Sequence, residues 1–275
     1  MAIKLIALDL DGTTLSSKKN ISSRNRAAME SAAAKGVNIV VATGRPFSAL
    51  PKDVFEIEAI RYILTSNGAS ITDVKEKRTF YENCISSASV EKAVELLKRY
   101  DYILEGFVKG EAYIQGDYYE YVKRTGKSFR DVNYILETRK PVEDIYEFLL
   151  ENKEHIENIN VNFEDMSDKP KMYSELIKLP DVTITSSLKN NLEIGGATTS
   201  KAEALRKMGE LLGIKQEEMM AIGDSPNDIE MLKAAGMSVA VGNAEEEGKE
   251  QASYISADND NDGVAEAIEK FVLKK

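Results

Sequence analysis

Asp9 and Asp11 stand one residue apart at the end of an apolar run, in KLIALDLDGTTL (Lys4–Leu15). A strand sends residues two apart to the same face, so both acids are expected to aim at one spot, where Gly12 lets the chain turn. Carboxylates are costly to bury, so that spot is either solvated loop or a place for a cation. The pattern recurs. IVVAT ends at Thr43, YILTS leads to Asn67, and MMAIG leads to Asp224, with Asn227 and Asp228 on the following turn. Ligands of open parallel sheets bind beyond the carboxyl ends of the strands. Three carboxylates and a hydroxyl from separate strands are therefore expected to converge at one edge. A ligand set of oxygens alone favours a hard cation, Mg²⁺ in particular. Taken singly, each residue reads as a helix N-cap, and for Thr43 or Ser225 alone that reading is favoured. Their joint occurrence at strand ends is what points to a site.

The elements that must position these residues follow from hydrophobic periodicity. IKLIALD, VNIVVATG and RYILTSNG read as buried strands, and SSRNRAAMESAAAKG as a helix between serine caps and a glycine stop. The rhythm returns late: a helix over 200–212, strand MMAIGD, helix NDIEMLKAAG, strand MSVAVG, a short strand ASYIS, and a last amphipathic helix ending near Phe271. Strands alternating with helices predict an α/β core, a parallel sheet with helices on both faces. The middle differs. DYILEGFV, EAYIQGDYYEYV and ENINVNFED look half-exposed, and two amphipathic helices fall near 90–100 and 142–152. That stretch predicts an inserted α+β domain, an open antiparallel sheet with helices on one face. The expected division is a core of residues 1–82 and 190–275 around an insert of 83–189.

Composition removes several classes of function. The chain has 275 residues, 43% of them hydrophobic, and a net charge of -10, which fits a folded globular protein. An acidic balance disfavours nucleic acid as a partner, and an anionic substrate then needs a local positive centre. No apolar run is long enough to span a bilayer, and Asp9 cuts short any secretory core, so a cytoplasmic protein is expected. The oligomeric state is not readable, and a monomer is compatible with the sequence. Cys84 and His155 are the only residues of their kinds. Zinc sites of Cys and His are thereby excluded, and a Ser-His-Asp triad would depend on His155, which reads as a surface helix residue. Cys84 reads as a small buried hydrophobe. Chemistry must run on carboxylates, hydroxyls, lysine or metal.

DLDGTT, VVATGRP, TTSKAEAL and AIGDSPNDIEML, in that order, resemble the haloacid dehalogenase superfamily of phosphatases, and the large insert after SNGA resembles its Cof-type sugar-phosphatase branch. The resemblance covers nearly the whole core and implies a Rossmann-like sheet with an inserted cap domain that closes over the site and chooses the leaving group. It implies Asp9 as the nucleophile that takes the phosphoryl group, and Asp11 as the acid and base serving the leaving alcohol and the water. Mg²⁺ would lie among Asp9, the backbone carbonyl of Asp11, and Asp224. Thr43 and Lys201 would meet the phosphoryl oxygens, and Asp228 would hold Lys201 or a metal-bound water. Gly44, Arg45, Asn67 and Asn227 are the further substrate-side positions. Two departures stand out: Ala202 follows the lysine where the family usually has glycine, and LEIGGATTSK lacks the expected proline. The implied reaction is hydrolysis of small phosphorylated metabolites, sugar phosphates or phosphorylated cofactors. A phosphomutase would return the group to a sugar, a dehalogenase would need no metal, and a non-enzymatic phospho-receiver would be shorter and lack the insert.

Three look-alikes are set aside. DNDNDGVAEAIE (Asp258–Glu269) fits the calcium-loop pattern, yet a strand precedes it and no second loop pairs with it, so an acidic turn capping the last helix is expected. RTGKSFRDV resembles the end of a phosphate-binding loop, but Tyr121 stands where its first glycine belongs. DYYEYV reads as packing or surface within the insert rather than a platform for bases.

Overall fold

The computed structural model describes residues 2–274. The chain opens with β1 (Leu5–Leu8), α1 (Ser23–Ala34), β2 (Asn38–Ala42), α2 (Lys52–Glu56), β3 (Ile60–Thr65), β4 (Ser70–Asp73) and β5 (Arg78–Glu82). Next come α3 (Ser87–Leu97), β6 (Ile103–Val108), β7 (Glu111–Gln115), α4 (Gly116–Thr125), α5 (Val132–Thr138) and β8 (Arg139–Val142). They are followed by α6 (Ile145–Glu151), β9 (Ile156–Asn162), α7 (Asp168–Leu176), β10 (Val182–Thr185) and β11 (Asn191–Gly196). The chain closes with α8 (Lys201–Leu212), β12 (Met219–Gly223), α9 (Ile229–Lys233), β13 (Met237–Ala240), α10 (Glu246–Gln251), β14 (Tyr254–Ile255) and α11 (Gly263–Ile268). Two compact units divide it. The first takes the chain through Gly44, Leu50–Tyr81 and the part from Ser200; the second takes Arg45–Ala49 and Glu82–Thr199.

Unit 1 is built on an eight-stranded sheet in the order β14-β13-β12-β1-β2-β3-β4-β5. Neighbours from β14 to β3 run parallel, and β4 returns antiparallel to β3. β1 lies between β12 and β2 with all four residues buried, which is why LIAL is apolar without alternation. Ala204, Leu205 and Met208 of α8 join Leu5, Ala7, Val40 and Leu64 in one core, while α1 packs against α11. Ser22 caps α1 by accepting from the Asn25 N–H, and Gly36 follows that helix at φ 82°.

Unit 2 carries a six-stranded sheet in the order β10-β11-β9-β6-β7-β8. Its pairs are antiparallel except β7 with β8, which run parallel. Val90, Val94, Leu97, Ile145, Leu149, Met172 and Leu176 from α3, α6 and α7 bury against Leu104, Ile159, Val161, Leu192 and Ile194. The other face is polar: Glu105, Asn160 and Glu193 oppose one another across β6, β9 and β11, and all are buried. Helices are not confined to one face. Ile114, in register with Glu105, packs with Val122 of α4 and Ile135 of α5 on the polar side.

Three local expectations are corrected. EAYIQGDYYEYV is strand only as far as Gln115; alternation fails at Tyr118 and Tyr119, and α4 continues to a left-handed Gly126. The helix near 142–152 spans Ile145–Glu151, because Arg139–Val142 is strand. His155 is exposed, but in the turn after α6 rather than on a helix. The calcium look-alike is a capped turn: Asp258 accepts from the N–H groups of Asp260 and Asn261, Asp262 from the Ser22 hydroxyl, and Glu269 from Arg24. No helix among the described residues is long and apolar enough to cross a membrane.

Candidate active site

The carboxyl ends of β1, β2, β3 and β12 bring most of the expected residues together, all within unit 1. Asp9 follows β1 and Asp224 follows β12, and with Asp228 they form a group in which one carboxylate oxygen from each lies within 4.8 Å of the others. Lys201, the first residue of α8, reaches into this group. Its Nζ donates to Asp9 Oδ1 at 2.6 Å and to Asp228 Oδ1 at 2.7 Å, with its side chain fully buried. Ser200 caps α8 by accepting from the Glu203 N–H, and the following Ala202 is buried. Asp228 closes the turn that carries it: its Oδ2 accepts from the N–H groups of Asp224 and Ser225 at 3.1 and 3.0 Å.

Thr43 is buried beyond β2, its N–H donating to Leu64 and its carbonyl accepting from Asn67 N–H. Ser66 and Asn67 both hold positive φ, 51° and 57°, which L residues adopt at a cost. That bend turns Asn67 back so that its Oδ1 accepts from Asn227 Nδ2 at 3.0 Å. Gly44 fits because a Cβ there would come within 3.0 Å of Asn67 Oδ1. Arg45 belongs to unit 2, where it donates to the Ala49 carbonyl at 2.8 Å.

Asp11 departs from expectation. Its carboxylate lies outside the acid group and pairs with Lys19 at 3.3 Å, with 40% of the side chain exposed. The reason is that β1 stops at Leu8, so the two-residue alternation does not extend through Asp9 and Asp11. Gly12, at φ 83°, lies against Asp224: a Cβ there would fall 2.5 Å from Asp224 Oδ2. Four further residues were not singled out as site residues. Thr13 donates to Asp224 Oδ1 at 2.6 Å and Ser225 to Oδ2 at 3.0 Å; Thr14 donates to the Asp9 carbonyl at 2.5 Å, and Asn243 Nδ2 to the Gly12 carbonyl at 2.7 Å. The hydroxyls of DGTT and GDSPND were legible as neighbours of the acids. Asn243 carried no signal.

The sequence profile of the haloacid dehalogenase-like hydrolases matches residues 6–268. The chain is 32% identical over 273 residues to the 5-amino-6-(5-phospho-D-ribitylamino)uracil phosphatase YcsE of Bacillus subtilis strain 168, covering 98% of this chain and 96% of that one. It is also 32% identical over 288 residues to phosphatase YwpJ of the same organism, covering 98% and 100%. A haloacid dehalogenase-like hydrolase from Bacteroides thetaiotaomicron, known as a crystal structure, superposes with a TM-score of 0.82 at 33% identity over 98% of this chain and 99% of that one. The chain belongs to the haloacid dehalogenase-like hydrolases. It is an enzyme of the phosphatase class in that family.

In this haloacid dehalogenase-like hydrolase the charges of the site do not balance. Three carboxylates face one ammonium, a formal excess of two negative charges among the described residues. Burial first, then Asp228, raises the Asp9 carboxyl well above its usual range, against the pull of Lys201. Burial raises Asp224 as well. Burial opposes the Lys201 ammonium, but Asp228 and Asp9 outweigh it and raise its pKa. Asp9 Oδ2 is buried and has no partner among the described residues. An oxygen-only donor set, an orphaned carboxylate oxygen and a deficit of two positive charges together fit a hard divalent cation. Asp9 Oδ2 has capacity for it, and each Asp224 oxygen accepts one hydroxyl and keeps a second lone-pair direction, whereas Asp228 Oδ2 already accepts two N–H groups and its Oδ1 holds the Lys201 ammonium. Cys84 is outside this chemistry: burial, with Glu157 and Glu82 nearby, pushes its thiol up to about 12.

Proposed function

We propose that the chain is a Mg²⁺-dependent phosphatase acting on small phosphorylated metabolites through a phosphoryl group carried on Asp9. The observation that carries this reading is the Lys201 clamp: one Asp9 oxygen is fixed on Nζ at 2.6 Å, while the other is buried with no partner among the described residues. The carboxylate is thereby held in one rotamer with a lone pair available for attack. Asp9 and Asp224, with the main-chain carbonyl of Asp11, would hold Mg²⁺. The ion, when bound, supplies positive charge that lets a carboxylate approach an anionic phosphate.

In the first half-reaction Asp9 attacks phosphorus, the P–O bond to the alcohol breaks, and Asp11 gives its proton to the departing oxygen. In the second, Asp11 takes a proton from water, the water oxygen bonds to phosphorus, and the Asp9–phosphorus bond breaks to release inorganic phosphate. The partial exposure of Asp11 suits a group that must exchange protons with water. Lys201 stays protonated and spreads positive charge over Asp9 and the phosphoryl oxygens, with Asp228 fixing its position. Thr43 and Gly44 would contact the phosphoryl group, and Asn67, Asn227 and Arg45 the substrate side. We assign the chemistry to unit 1 and the choice of leaving group to unit 2. Sugar phosphates and phosphorylated cofactors or their precursors are the proposed substrates, and the name of the relative YcsE supports the second kind. Phosphate release over a metabolite panel with Mg²⁺ tests this. Turnover of several esters, abolished by EDTA and in Asp9→Asn, is expected; transfer between sugars without free phosphate would overturn it.

A further inference from the structure

Three guanidinium groups of unit 2 converge on one aromatic ring. The guanidinium carbons of Arg130, Arg139 and Arg45 lie 4.0, 4.5 and 5.0 Å from the centroid of one ring, Tyr134. A shared ring gives no relief from the repulsion between its cations. The chain carries 46 acids against 36 basic residues, and Arg24, Arg26, Arg61, Arg99 and Arg206 are all in ion pairs. Arg130 is half-buried and has neither an ion pair nor a side-chain hydrogen bond among the described residues.

Arg139 is the second observation. Its side chain is fully buried, with Nε donating to Glu105 at 2.5 Å and Nη1 to Thr138 Oγ1 at 2.7 Å. Nη2 has no acceptor among the described residues. A buried guanidinium N–H without an acceptor is costly, because that N–H gives up its water with no hydrogen bond in return. Glu105 and Asp131 already serve other donors: Glu105 is taken by Nε, and an Asp131 carboxylate oxygen accepts the Tyr134 N–H at 2.8 Å.

We propose that Arg130 and Arg139, beside Tyr134, form an anion-binding site in unit 2 that takes a phosphate or carboxylate group. Planar guanidinium forks match the paired oxygens of such groups, and cations around the ring argue against a stacked aromatic ligand. The anion has two sources: a second acidic group on the substrate, or free inorganic phosphate. The site stands without the catalytic reading; only its use in substrate choice rests on that reading.

The test soaks crystals in selenate and titrates sulfate and inorganic phosphate calorimetrically at constant ionic strength, in the intact chain with EDTA. An anomalous peak within hydrogen-bond reach of Arg130 and Arg139 is expected. Arg130→Gln should weaken sulfate by about tenfold or more, as loss of one charge-assisted bond implies, while the exposed Lys127→Gln leaves it unchanged. No peak at this cluster, or undiminished binding in Arg130→Gln, overturns the proposal. A selective fall in kcat/KM for phosphate esters that also carry a carboxylate identifies the substrate as the source. Weaker sulfate binding with every ester unaffected identifies free phosphate. If no ester is turned over at all, the catalytic reading fails and the selenate and calorimetric results still decide this site.

Discussion

Lys201→Met removes the ammonium that pairs with Asp9 and Asp228 while nearly preserving its volume. Both contacts are short, 2.6 and 2.7 Å, and the lysine and Asp228 side chains are fully buried. Removing one partner of a buried ion pair costs about 3–5 kcal/mol, because the remaining charge is stranded. Here two carboxylates are stranded near a third. At roughly 2–4 °C per kcal/mol, the transition of unit 1 should fall by about 6–20 °C in calorimetric melts with EDTA. The loss should depend on pH in one direction. Asp9 already has its pKa raised by burial and Asp228, and losing Lys201 removes the influence that opposed them. An acid whose pKa is higher folded than unfolded binds its proton more tightly when folded. Its penalty is therefore complete above the folded pKa and fades as pH falls through that value towards the unfolded one. Lys201→Met should thus be destabilised more at pH 8 than at pH 5.5, and adding Asp228→Asn should recover part of the loss. A variant as stable as wild type at pH 8, or one that loses more at low pH, would refute the argument from charge balance.

Asp9→Asn should abolish turnover in phosphate-release assays while leaving the metal-free protein at least as stable in melts, because one of three crowded charges is gone. Mg²⁺ should raise the melting temperature of the wild type, with about 2.7 kcal/mol expected at a hundred times its Kd, and should do much less for Asp224→Asn. That variant should melt higher than wild type in EDTA, since burial of the Asp224 charge is unfavourable without the ion. Gly12→Ala forces a left-handed residue costing about 1–2 kcal/mol and puts a Cβ 2.5 Å from Asp224 Oδ2. Calorimetry should show its Mg²⁺ affinity reduced, and native affinity would remove Asp224 from the site.

The parallel half of the architecture was legible because its strands are buried on both faces and read as continuous apolar runs. The insert was harder. Its polar sheet face holds Glu105, Asn160 and Glu193, so alternation suggested exposure where the structure has buried hydrogen bonds, such as Asn160 Nδ2 donating to Glu105 at 3.1 Å. Period-two patterning reports polarity, and burial is inferred from it only when buried faces are apolar. Glu105 and Arg139 are 34 residues apart, and no local pattern announces their pairing. At the candidate site, Asp9, Asp224, Asp228 and Thr43 could be placed because each directly follows a recognisable strand or lies on its turn. Asp11 was misaimed because alternation was extended past Leu8, where the strand ends. Asn243 contacts the Gly12 carbonyl from 231 residues away, a contact set by tertiary packing alone.

Lys201 shows how local rules and site chemistry conflict. A cation at the first position of a helix meets the positive end of the helix dipole, and a buried lysine loses its water. Both effects argue against lysine there, and the helix needs only Ser200 to cap it. The residue is nonetheless buried, with its ammonium on two carboxylates. Those carboxylates are in turn poor choices for the ends of core strands unless positive charge meets them. Each member is unfavourable alone, and together they still fall two charges short of neutrality. Such a deficit at the end of a fully buried apolar strand fits the divalent cation proposed for the site. The deficit therefore links the stability predictions to the catalytic ones: variants that relieve it in EDTA should be those that lose Mg²⁺ and turnover.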